Sequence, residues 1–195
     1  MDSQKKTVSE AAMQEEWLII KEAKQNPASF RPLYDKYYQA IFKFIFRRTA
    51  DESLTADLCS KVFLKALQRL SSYQYKGVPF SAWLYRIASN EVAQHFRESQ
   101  KNRVISIEEG RVSDLIEEIE ERDHPNYRQT LILALDELKE AEVQLIEMRY
   151  FEQRPFKEIA QILQITENNA KIRTYRTLEK LKKIILKKSE QGQSR

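Results

Sequence analysis

FKEIAQILQITENNAKIRTYRTLEKLKK, residues 156–183, is the stretch on which the rest of the chain turns. Phe156, Ile159, Ala160 and Leu163 recur three and four residues apart, the spacing of one helical face, and Pro155 stands at the start of that helix. Gln164-Ile165-Thr166 breaks the pattern, and Thr166 is a residue type that caps a new helix. A long basic helix follows, running to about Lys188. Two helices joined this closely make a helix-turn-helix. The crossing needs a small side chain, which Ala160 supplies; Ile165 is expected to plug the shared core, with Ala170 and Leu178 packing the second helix. Thr166, Asn169, Lys171, Ile172, Arg173 and Arg176 are left on or near the outer side. Arg can bond two acceptors on guanine and Asn can do the same on adenine, so these positions suit base reading in a major groove. Gln164 stands where many such turns carry Gly; Gln takes a left-handed conformation only with some strain, so the turn geometry is expected to differ slightly.

Working back towards the N-terminus, Leu131, Leu135 and Leu138 form one apolar face and Val143, Ile146 and Tyr150 the next. Residues 99–126 lose the helical pattern and contain Gly110 and Pro125. They read as a linker with one turn-rich helix around 113–122. Ahead of the linker, apolar positions from Phe30 to Phe46 keep the helical period, with Pro32 in the first turn. Asp51 is placed to cap a helix whose face is Leu54, Leu58, Val62, Ala66 and Leu70. SSYQYKGVP, residues 71–79, is a loop, and a third helix starts near Phe80. Trp17, Leu18 and Ile20 suggest a short helix before all of these. The expected fold is all-α: two small helical domains joined by an acidic linker.

Charge is distributed unevenly. Residues 30–103 carry 13 basic and 6 acidic groups, and residues 171–195 carry 9 and 2, whereas residues 104–126 carry 2 and 8. Two positive blocks flanking a negative connector favour a polyanionic partner. The first block also holds Tyr73, Tyr75, Phe80 and Trp83 close to Lys76, Arg86 and Arg97. Rings interleaved with cations suit single-stranded DNA, because bases stack on the rings while cations hold phosphates. Tyr73 and Tyr75, in the loop, are the expected exposed platforms, and Trp83, on the face of Ile87, is expected to be buried.

Composition excludes several classes. Only 3 Gly occur in 195 residues, scattered at 77, 110 and 192, too few for a phosphate-cradling Gly-rich loop. The single cysteine, Cys59, rules out a disulfide framework and a thiolate zinc site. His95, His124, Cys59 and the carboxylates fall in no motif that brings a nucleophile and a base together, so no enzyme, metal or cofactor is expected. No apolar run reaches signal-peptide or membrane-spanning length, which points to a cytoplasmic protein without membrane insertion. A DNA-binding regulator with a ligand-sensing first domain would account for the helix-turn-helix but not for the aromatic loop and its cations.

FRPLYDKYYQAIFKFIFRRTAD, ADLCSKVFLKAL, FSAWLYRIASNEVAQHFR, LDELKEAEVQLIEMRYFEQRPFKEIAQIL and ITENNAKIRTYRTLEKLKK, in this order, resemble an RNA polymerase sigma factor of the sigma-70 family, in its extracytoplasmic-function (ECF) class. The resemblance covers about residues 28–98 and 127–185. It implies an N-terminal extension over 1–27, a region 2 domain over 28–98, the linker over 99–126, a region 4 domain over 127–188 and a polar tail over 189–195. Region 2 would dock on the β′ clamp helices of core polymerase through Asp57, Leu58, Lys61, Val62 and Phe63. It would open and capture the −10 element through Tyr73, Tyr75, Lys76, Trp83, Asn90, Gln94 and Arg97. Region 4 would read the −35 element through Thr166, Asn169, Lys171, Arg173 and Arg176 and meet the β flap.

Four residues at three places depart from the family pattern: Ser60 with Lys61, Gln94 in place of a common Asp, and Thr174 in place of a larger apolar residue. They are expected to alter one docking contact, the −10 preference and the helix packing, respectively. The partners implied are bacterial core RNA polymerase, promoter DNA and an anti-sigma factor. The acidic linker resembles the connector that threads towards the polymerase active centre and RNA exit path.

Overall fold

The computed structural model describes residues 8–99, residue 115 and residues 127–193. Two compact units are present, one built on Thr7–Ser106 and the other on Ile107–Ala160 with Gln164–Arg195. Among the described residues every regular element is helical. The expected helix over 113–122 and the acidic connector lie outside the described residues, apart from Leu115, which is helical and buried.

In the first unit, local side chains satisfy backbone N–H groups that a first turn leaves free at the start of two α-helices and one 3₁₀ turn. In α1 (Glu10–Gln25) Ser9 Oγ accepts from Ala12 N at 3.2 Å. A 3₁₀ turn over Pro27–Phe30, capped by Asn26, leads into α2 (Arg31–Thr49), with Pro32 in its first turn. Asp51 Oδ1 accepts from Leu54 N at 2.9 Å and opens α3 (Glu52–Arg69). After a 3₁₀ turn over Leu70–Ser72 and a loop, α4 runs over Phe80–Ser99.

Helices α2, α3 and α4 pack pairwise around one core. Ile41, Phe44 and Ile45 of α2, Leu58, Val62 and Ala66 of α3, and Leu84, Tyr85 and Ala88 of α4 fill it. Each large side chain buried there contributes about 1.5–3 kcal/mol. The Glu91 carboxylate of α4 accepts Lys65 Nζ of α3 on both oxygens, at 2.6 and 2.7 Å. The helix around Trp17 is longer than expected. It buries Glu16, Ile20 and Ala23 against this same unit, while Leu18 lies 64% exposed to solvent.

In the second unit, α5 (Tyr127–Asp136) and α6 (Glu140–Ile146) both pack on the last helix, α8 (Glu167–Gln193). Between α6 and α7 (Phe156–Leu163) the chain widens into a π turn over Glu147–Phe151, closed by Glu152 N donating to Glu147 O at 2.8 Å. Leu131, Leu135, Leu138, Val143, Ile146, Tyr150 and Ile159 are buried, as their spacing predicts. Thr166 Oγ1 accepts from Asn169 N at 3.2 Å and caps α8. Gln164 adopts φ 55°, ψ 44°, the left-handed conformation, so the side chain there does not move the turn out of that region as expected. Ala160, Ala170 and Leu178 are buried at the crossing, whereas Ile165 is only half-buried and fills less of the core than expected.

Candidate nucleic-acid interface

The outer face of α8 gathers most of the predicted base-reading residues. Arg173 and Arg176 are exposed and Asn169 is half-buried. At 3.6 residues per turn these three share a face with Ile172, which is 41% exposed. Lys171 is exposed too, but the same geometry puts it about 160° around from Arg173, on the far flank of the helix. Thr166 is exposed and already engaged as the cap. The adjoining Tyr175 is exposed and pairs with the Phe156 ring of α7, centroids 6.0 Å apart, while the Arg149 guanidinium covers Phe156 at 4.9 Å. Thr174, expected to loosen the packing, is fully buried, and its hydroxyl donates to Ala170 O at 2.8 Å. The helix thus satisfies the buried hydroxyl internally and loses only apolar volume.

Two charged pairs tie elements of this unit together. Burial pushes the Glu158 carboxyl above the usual carboxylate range, although Arg154 Nη1 at 2.6 Å opposes that shift. Partial burial would also raise Glu142, but Lys180 Nζ at 2.7 Å and the Lys139 N–H at 2.7 Å hold it below the usual range.

In the first unit the loop and α4 form a second candidate surface. Trp83, Arg86, Asn90, Gln94 and Arg97 follow at helical spacing and share one face of α4. Asn90, Gln94 and Arg97 are exposed, Trp83 and Arg86 half-buried. Arg86, named by the sequence among the nearby cations but not among the −10 residues, lies on this same helical stripe between Trp83 and Asn90. Gln94 Nε2 donates to Glu98 Oε1 at 2.8 Å. Tyr75 and Lys76 are exposed at the loop tip, where Gly77 takes φ 68° and allows a tight turn.

Tyr73 corrects the sequence reading. Its ring is buried at 7% exposure, with Phe80 at 5.1 Å and Trp83 at 4.9 Å, so it offers no open stacking face. Burial, with the Glu16 charge next, raises its phenol well above the usual tyrosine range. Trp83, expected in the core, is only half-buried. The loop sequence SSYQY has no periodicity, so nothing in it tells which tyrosine turns inward.

The α3 set divides as well. Asp57 and Lys61 are exposed, but Leu58, Val62 and Phe63 are core residues and present no docking surface. Phe63 lies against Tyr34 and Tyr38 of α2, at 4.7 and 6.2 Å between centroids. The outward face of α3 instead carries Asp57, Ser60, Lys61 and Leu64, the last 55% exposed. Cys59 is fully buried and its thiol is pushed up to about 12, which leaves it inert.

Comparison with known proteins assigns these two surfaces to a family. Residues 33–102 match the family model for Sigma-70 region 2, and residues 134–183 match that for Sigma-70, region 4. The RNA polymerase sigma factor YlaC of Bacillus subtilis is 30% identical over 166 residues, covering 84% of this chain and 95% of YlaC. The chain belongs to the sigma-70 family. Within it, the chain groups with the ECF sigma factors. The ECF RNA polymerase sigma factor BldN of Streptomyces coelicolor is 27% identical over 162 residues, 80% of this chain and 60% of BldN, so this sigma factor spans less than two thirds of that relative. The fold is also that of CnrH, solved in complex with the cytosolic domain of CnrY, with a TM-score of 0.59 at 18% identity, over 86% of this chain and 95% of CnrH. The region 2 match starts at Leu33 and leaves out α1, which nonetheless belongs to the same compact unit.

Proposed function

We propose that this sigma factor binds core RNA polymerase and directs it to promoters, with region 4 reading duplex −35 DNA and region 2 trapping the melted −10 strand. The observation that carries the reading is the pair of exposed, cation-bearing faces on separate units: Asn169, Ile172, Arg173 and Arg176 on α8, and Tyr75, Lys76, Asn90 and Arg97 on the loop and α4. The α8 face carries side chains that bond base edges in a major groove. The loop and α4 face carries a ring and cations suited to unpaired bases and phosphates. Trp83 and Arg86 lie half-buried on the same face of α4. Bond formation in RNA falls to the polymerase and its magnesium ions; this chain contributes positioning.

Docking on the β′ clamp helices uses the outward face of α3, with Asp57, Lys61 and Leu64 in place of the buried Leu58, Val62 and Phe63. Region 4 meets the β flap. Control by an anti-sigma factor is proposed from the likeness in fold to RpoE of Bartonella quintana, solved in complex with the anti-sigma factor NepR, at a TM-score of 0.54. The test is co-elution of the purified chain with bacterial core polymerase, followed by run-off transcription on a promoter library. Co-elution with new start sites is the expected result. Failure to co-elute with polymerase from several bacteria would return the chain to the class of stand-alone DNA-binding regulators.

A further inference from the structure

Helix α1 meets Tyr73 and Tyr75 of the 71–79 loop, and the first N–H of α4, from one face. Met13, Glu16, Trp17, Ile20 and Lys24 recur three and four residues apart. Glu16 is the central member, a carboxylate only 3% exposed. Its Oε1 accepts Lys36 Nζ at 3.0 Å and the Tyr37 hydroxyl, both from α2. Its Oε2 accepts Phe80 N at 3.1 Å, the first N–H of α4. That N–H has no partner within its own helix, so a carboxylate 64 residues away caps α4 at the N-terminal end of its dipole.

The loop is held at its other end as well. Lys24 Nζ donates to Tyr73 O at 2.6 Å. The Trp17 ring lies 6.2 Å from Tyr73 and 6.0 Å from Tyr75, with the Lys21 and Lys24 ammonium groups 5.5 and 5.3 Å from its centroid. The Tyr75 hydroxyl reaches Met13 Sδ at 3.7 Å. The loop's own backbone bonds are seen at its ends, Tyr73 N to Leu70 O and Ala82 N to Pro79 O, both 3.0 Å. Between those ends, Gln74, Tyr75 and Lys76 face outward.

We infer that α1 is a positioning element for −10 strand capture: Glu16 and Lys24 fix the two ends of the loop, and Trp17 sets the plane of Tyr75. Capture of an unpaired base requires the loop cations, the Tyr75 ring and the α4 face to be arranged before the strand arrives, because ordering them on binding would cost affinity. A carboxylate and an ammonium aimed at backbone groups supply that order without constraining which side chains the loop presents. The inference rests on the promoter-reading function proposed above.

The test uses the full chain assembled with core polymerase and a single-stranded DNA pool randomised over six positions. Wild-type holoenzyme is expected to select a sequence, and the variants are compared on that strand and on its single-base alternatives. Lys24→Met keeps the side-chain stem but removes the ammonium, and it is expected to lower discrimination at the captured base about tenfold, as loss of one charged hydrogen bond implies. Glu16→Gln is expected to do the same through Phe80 N, while Lys24→Arg restores most of the discrimination.

Core polymerase affinity and −35 duplex binding of K24M should stay at wild-type values, and its discrimination should stay lowered well below its thermal midpoint, where the chain is fully folded; a merely structural role for Lys24 would restore discrimination there. Wild-type discrimination in both K24M and E16Q would overturn the inference. So would losses that simply track thermal stability or core binding. If wild-type holoenzyme selects no sequence while still binding core polymerase, the promoter-reading function of region 2 fails, and the role of α1 with it.

Discussion

Tyr73 and Tyr75 stand two residues apart and have opposite tasks. Tyr73 fills a site between Phe80, Trp83 and Trp17, so Tyr73→Ala is expected to cost about 3 kcal/mol or more in denaturant unfolding of the chain. Tyr75 is 41% exposed, and Tyr75→Ala should leave stability within about 0.5 kcal/mol while weakening single-strand capture about tenfold or more. On α8, Ile172 is the apolar member of an otherwise polar face, and an apolar side chain in a major groove suits a thymine methyl. Replacing one thymine of a selected −35 duplex by deoxyuridine removes that methyl alone. Wild-type protein should lose affinity at one such position, and Ile172→Ala should bind both duplexes alike. These assignments were legible to different degrees. Arg173 and Arg176 follow from helical spacing, since period and polarity together fix an outward face. The inward turn of Tyr73 does not, because an aperiodic loop takes its direction from the helices that flank it.

The turn between α7 and α8 holds Gln164 at φ 55°, a region that costs a residue with a Cβ about 1 kcal/mol. Gln164→Gly should therefore stabilise region 4 by about 0.5–1 kcal/mol, measured as a shift in denaturant midpoint at unchanged slope. The pairing of α6 with α8 through Glu142 and Lys180 predicts a pH dependence. Because Glu142 is held below its ordinary range in the folded state, its contribution is present above the unfolded carboxylate value and is lost as pH falls through the lower, folded one. Glu142→Gln should flatten that part of the acid limb in a stability–pH series, and an unchanged limb would remove Glu142 from the account. The N-caps Asp51 and Thr166 were readable from sequence because capping is local. The trans cap of Phe80 by Glu16 was not, since its partners are 64 residues apart.

The whole chain carries a formal net charge of +4, but 9 of its basic groups against 2 acidic ones lie in residues 171–195. Promoter binding by the holoenzyme should weaken steeply with salt, as neutralised phosphates release their counterions. Arg173→Ala and Arg176→Ala distinguish two roles: loss of a phosphate contact reduces the slope of log K against log salt by about 0.9, whereas loss of a base contact changes sequence preference instead. A slope unchanged in both variants, with sequence preference unchanged, would take both residues off the DNA.

The sequence by itself determined the main helices, the caps Asp51 and Thr166, the two-part organisation and the family, because hydrophobic period, capping residues and motif order are local or linear properties. Only the tertiary structure decided which members of each motif face outward. It turned Leu58, Val62, Phe63 and Tyr73 into core, exposed Leu64, and joined α1 to the capture loop. Burial is a property of packed neighbours, and those neighbours are contributed by segments that the linear spacing of any one motif does not contain.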